Sequence, residues 1–114
     1  MKRINLIAAA LMLGSALVAS SSALAAADAE AAKAFAKKED CFKCHAVDKT
    51  KKGPSYKKIS AKIKEKNISD EKLMEHLTTG KKVKLEDGTE EEHKALNKKD
   101  ADKIKNLINW IREQ

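Results

Sequence analysis

The sequence predicts an all-α domain of three to four short helices. Three features point that way. Apolar residues recur at helical spacing over Ile104, Leu107, Ile108 and Ile111. The remainder is rich in helix-forming alanine, lysine and glutamate. Gly53-Pro54 and Gly80 then punctuate the chain into short pieces.

The first segment is not expected to belong to that domain. Lys2 and Arg3 precede the apolar stretch Ile4 to Val18, and small residues follow at Ala23 and Ala25, which is the order of a secretory leader. Cleavage after Ala25, or alternatively after Ala27, divides the chain into a signal peptide over 1–25 and a single domain over 26–114. The expected destination is the periplasm. No later run approaches the roughly eighteen apolar residues of a membrane span, and no cysteine lies near the cleavage point to carry a lipid. So small a domain buries little of its own surface and needs something beyond side-chain packing to hold it together.

Losing Lys2 and Arg3 lowers the formal charge from +7 to +5, with acids and bases finely interspersed. That pattern suits docking to acidic protein surfaces better than binding a phosphate backbone. Aromatic residues are too few for a single-strand stacking platform, so no nucleic-acid partner is expected.

Within the domain, Ala29 to Lys38 reads as a first helix with Phe35 as its one large apolar residue. A basic loop follows from Ala46 to Pro54. Ser55 to Ile63 reads as a second helix with Tyr56, Ile59 and Ile63 on one face. Asn67 to Ser69 is a turn, and Asp70 and Glu71 suit the start of a third helix whose stripe, Leu73, Met74 and Leu77, ends at a Gly80 cap. Lys81 to Leu96 shows little periodicity, with a tight turn at Asp87-Gly88. The last helix runs from about Lys99 to Arg112. Phe35 is expected to pack near Leu107 and Trp110.

The chain has two cysteines, in Cys41-Phe42-Lys43-Cys44-His45. This is the haem c attachment pattern: two thiols form thioethers to the vinyl edges of one porphyrin, and the adjacent imidazole takes an axial position on the iron. A thioredoxin-like pair would want a parallel sheet, a disulfide would close a very small ring, and zinc would need two further soft ligands. The expected cofactor is therefore one covalent haem c, held by Cys41 and Cys44 and ligated by His45.

Together the helix ending in Cys-x-x-Cys-His, the following Gly53-Pro54, the helix before Gly80, and the final run from Asp100 through Trp110 resemble a class I cytochrome c of the short bacterial monohaem type. The resemblance spans the whole mature chain. It implies the small class I cytochrome c fold, with three to four short helices around the haem. It also implies that the Pro54 carbonyl accepts a hydrogen bond from His45, which orients the ring and raises its basicity. Gly53, Pro54, Tyr56 and Ile59 join the haem pocket on this reading. In such proteins the second axial ligand is normally a Met, and here that region holds Glu91-Glu92-His93-Lys94-Ala95 with no Met after Met74. His93 is the expected replacement, giving His45/His93 coordination of the metal. Met74 is expected to pack within its helix and His76 to lie on the surface, while Lys94 would have to lose a proton to ligate.

The function expected is non-enzymatic electron carriage in the periplasm, at a potential lowered by the second imidazole. The alternative is a haem protein that binds a gas or small ligand through a labile or open distal site. Partners would be periplasmic redox proteins or membrane-associated redox enzymes, met by a monomer through Lys43, Lys49, Lys51, Lys52, Lys57 and Lys58 around the haem edge.

Overall fold

Residues 26–114 are described by the computed structural model, and the leader read over 1–25 lies outside them. Four helices, α1 (Ala29–Lys38), α2 (Tyr56–Lys66), α3 (Asp70–Thr79) and α4 (Ala101–Arg112), are joined by loops and one two-stranded antiparallel hairpin, β1 (Lys82–Lys84) and β2 (Glu90–Glu92). Among the described residues no helix is long and apolar enough to cross a membrane.

Three of the four helices start on a capping side chain. Asp28, Ser55 and Ser69 hold extended backbone and accept from the amides of Ala31, Lys58 and Lys72, satisfying donors that an isolated helix leaves unpaired. Two helices stop in the left-handed region: Asn67 closes α2 at φ 49°, and Gly80 closes α3 at φ 64°.

The core is the meeting of α1 with α4. Ala32 and Ala36, one turn apart and fully buried, let the two backbones approach closely, and Phe35 fills the space beside them. From α4 come Ile104, Leu107, Ile108, Trp110 and Ile111, all buried. Polar ties lock the same contact: Asn106 Oδ1 accepts from Asp28 N at 2.9 Å, and its Nδ2 donates to Asp28 O at 2.9 Å. At the far end of α4, Arg112 donates to the Ile68 carbonyl at 2.9 Å and to Asp70, while its own carbonyl accepts from the buried Ser60 hydroxyl at 2.8 Å. Thus α4 is tied to the start of α1 at its middle and to the α2–α3 junction at its C-terminal end.

Three aromatics that are remote in sequence gather at the centre. Trp110 meets Tyr56 edge-on with ring centres 5.1 Å apart, and Phe42 meets each of them edge-on at 6.5 and 6.0 Å. Such edge-to-face pairs each add about 0.5–1.5 kcal/mol beyond the area they bury. Phe42, inside the cysteine motif, thereby fastens that motif to α2 and α4.

The hairpin is the departure from the expected irregular segment. Lys82 lies opposite Glu92 and Lys84 opposite Glu90, so its cross-strand pairs join opposite charges. Gly88 at φ 85° makes the turn, helped by Asp87 accepting from the Thr89 amide and hydroxyl. With three residues per strand, alternation is too brief to be seen as a period.

Candidate functional site

The cysteine motif leaves α1 through Asp40, whose left-handed backbone (φ 62°) turns the chain into a single 3-10 turn over Cys41–Lys43. Cys41 and Cys44 are free, half-buried thiols. Both face a cleft of about 670 Å³, within the ~300–1,000 Å³ usual for cofactor pockets. Its walls include Ile59 and Ile63 from α2, Leu73 and Leu77 from α3, and Leu107 and Ile108 from α4. Every residue singled out from the sequence, Cys41, Cys44, His45, Gly53, Pro54, Tyr56, Ile59 and His93, borders this one cleft.

His45 is held by the loop that follows it. Gly53 N donates to Cys44 O at 2.8 Å and Tyr56 N to Ala46 O at 2.9 Å, folding the loop back on the motif. That brings the Pro54 carbonyl to 2.7 Å from His45 Nδ1. A carbonyl only accepts, so Nδ1 carries the proton and Nε2 is left bare. Burial pushes the His45 imidazole below its usual range, against the opposing Pro54 bond, and His93 nearby adds to the lowering. The ring is therefore neutral at neutral pH. Burial likewise holds the Tyr56 phenol well above its usual range, so it stays protonated beside Cys41.

His93 reaches the cleft from the strand that ends the hairpin. Its amide donates to Lys81 O at 2.9 Å, and Leu96 N donates to Leu77 O at 2.7 Å, so the segment between is fixed to the end of α3. Gly80 permits this turn because its backbone is left-handed (φ 64°), a conformation that residues with side chains rarely adopt. His93 Nδ1 donates to the Lys94 carbonyl at 3.0 Å, so Nε2 is the ring nitrogen left without a hydrogen-bond partner among the described residues. The His45 and His93 ring centres are 6.3 Å apart with planes at 43°.

The other candidate ligands fall out differently. Met74 packs against the hydrophobic core and does not border the cleft. Lys94 is ion-paired with Glu39 at 3.2 Å, a carboxylate whose side chain is only 20% exposed. His76, expected on the surface, is half-buried and borders the cleft, with its ring centre 4.5 Å from that of His93. The reason is the turn of α3: His76 follows Leu73 by three residues and shares its inward side. Burial, then His93, pushes its imidazole below the usual range. Among the described residues no group of three or more His, Cys, Asp or Glu converges as on a bare metal ion. The donor set suits a flat group instead: two thiols at one edge, imidazole nitrogens unsatisfied within, and aliphatic walls.

Residues 29–114 match the family model described as cytochrome c. The chain belongs to the cytochrome c family. A solved structure, the class 1 cytochrome MtoD from Sideroxydans lithotrophicus ES-1, is 50% identical to this cytochrome and superposes with a TM-score of 0.72, covering 77% of this chain and 97% of that one. No curated protein matched. The cytochrome is thus a class I c-type protein with an all-α fold built for electron carriage rather than catalysis, and periplasmic as that family is. Its two cysteines stand where the family attaches haem c.

Proposed function

We propose that the mature cytochrome, freed of its leader, carries electrons through one haem c attached by thioethers to Cys41 and Cys44, with His45 and His93 as axial ligands. When bound, the haem supplies a one-electron ferric/ferrous couple. The observation that carries this reading is the His45–His93 separation of 6.3 Å between ring centres. Two imidazoles that meet one iron head-on, with metal–nitrogen bonds near 2 Å, keep their centres about 6 Å apart, and their planes are free to rotate about that axis. The Nε2 of each ring, left without a protein partner, and the absence of any methionine from the cleft lining among the described residues support the same assignment.

The chain's residues then have distinct tasks. Pro54 and the Lys94 carbonyl fix the tautomers of the two imidazoles and raise their basicity. Ile59, Ile63, Leu73, Leu77, Leu107 and Ile108 exclude water from the cleft. Imidazole in place of a thioether favours the ferric state, so a reduction potential below that of Met-ligated relatives is expected. An equilibrium redox titration measures it, and a potential as high as theirs would overturn the ligand assignment. Ferric and reduced spectra should both be low-spin, lack the Met-to-iron charge-transfer band and ignore carbon monoxide. Prompt uptake of carbon monoxide by the reduced protein would favour the ligand-binding alternative.

Partner docking on this reading uses the lysines beside the cysteine edge, with a periplasmic or membrane-associated redox protein of acidic face as the partner. Of the six, Lys43 pairs with Asp40 at 3.4 Å, Lys57 pairs with Asp48 at 2.6 Å, and Lys51 donates to the Phe42 carbonyl at 2.5 Å. Lys49, Lys52 and Lys58 are exposed and make no ion pair among the described residues. They supply the steering field. Stopped-flow electron transfer to an acidic partner should slow as salt rises from about 0.01 to 0.15 M, where the Debye length shrinks from roughly 30 to 8 Å. Reversing Lys49, Lys52 and Lys58 to Glu should remove most of that dependence, and an unchanged salt slope would refute their role.

A further inference from the structure

The chain has three histidines, and all three border one cleft. Axial ligation by His45 and His93 leaves His76 without a role. Its ring centre lies 4.5 Å from that of His93, with planes inclined by 42°. The two rings stand on unequal supports. His76 belongs to α3, whose Leu73, Met74 and Leu77 pack against the core. His93 follows β2, every residue of which is exposed, on a hairpin secured by a few backbone bonds and two ion pairs, Lys94–Glu39 and Lys81–Glu75. Elements with few buried apolar contacts open first and most often.

We propose that His76 is a second distal ligand, which takes the iron position when the hairpin withdraws His93. The proposal rests on His93 being the resting ligand. In the exchange the bond from iron to His93 Nε2 breaks and one to a ring nitrogen of His76 forms. One neutral imidazole replaces another, so no electron is transferred and the charge at the iron is unchanged. The ring moves a few ångströms about its own χ angles while α3 stays packed. The consequence is a distal site that remains closed to small ligands even while its resting ligand is away, keeping the protein a carrier when the hairpin opens.

The test compares four holoproteins: the parent, His93→Ala, His76→Gln and the double variant. Ferric and ferrous spectra are recorded before and after carbon monoxide. The glutamine keeps the size and polarity of position 76 but is a poor iron ligand. Both single variants are expected to stay low-spin and refuse carbon monoxide, and the double variant is expected to turn high-spin and bind it promptly. A high-spin His93→Ala protein overturns the proposal, and if His76→Gln is low-spin it leaves His45/His93 ligation standing. A low-spin His93→Ala beside a high-spin His76→Gln makes His76 the resting ligand and overturns both readings. A double variant that stays low-spin also overturns both.

Discussion

Trp110→Ala should cost about 3–5 kcal/mol of folding stability, the usual range for deleting a large buried aromatic. Trp110 is 2% exposed and meets both Tyr56 and Phe42 edge-on, so its removal leaves a hole where α2, α4 and the cysteine turn converge. Small domains have only about 5–15 kcal/mol of stability in all. A loss of this size should appear as a large drop in the denaturant midpoint of the holoprotein at an unchanged slope. Trp110→Phe, which keeps most of the ring, should recover more than half of it. Equal midpoints for Trp110→Ala and the parent would mean that the aromatic group is not the keystone of the core.

Gly53→Ala should act on His45, the proposed iron ligand, rather than on the core. A methyl there would stand 2.7 Å from His45 Cε1, 3.0 Å from His45 Nδ1 and 3.3 Å from the Cys44 carbonyl. The first of these is closer than carbon atoms tolerate, so the imidazole must swing away, and the 2.7 Å bond to Pro54 is strained or lost with it. The expected result is a mixed or high-spin ferric spectrum, with stability lowered by about 1–3 kcal/mol. Glycine is required at this position for space alone, since its φ lies outside the left-handed region that Gly80 and Gly88 occupy. Low-spin spectra matching the parent would show that the loop yields more readily than the ring.

Much of this arrangement can be read from the chain because its causes are local. Cys-x-x-Cys-His states its chemistry through spacing alone. The helices follow from periodic apolar residues bounded by Asp28, Ser55, Ser69 and Gly80, each acting within a few residues of itself. The inward position of His76 is not legible beside the charged Glu75, because the inward side of α3 is settled by α4 and the cleft, not by α3 itself. A count of three from Leu73 was the available signal. The hairpin is hidden for another reason: the alternation in Lys82-Val83-Lys84 lasts only three residues and Glu90-Glu91-Glu92 has none, so only the complementary charges flanking Asp87-Gly88 announce the pairing. The aromatic cluster of Phe42, Tyr56 and Trp110 depends on distant segments meeting, and nothing near any one of them in sequence foretells it.

The segment from Lys81 to Ala95 is bracketed by two backbone joints, His93 to Lys81 and Leu96 to Leu77, and its strands bury no residue of the core. It is therefore a replaceable cassette. If His93 is the distal ligand as proposed, sequence drift there changes which atom meets the iron, and so the voltage at which the protein works, without touching the α1–α4 contact that keeps it folded. Redox tuning and folding are written in separate stretches of the chain, and each is free to evolve at its own pace.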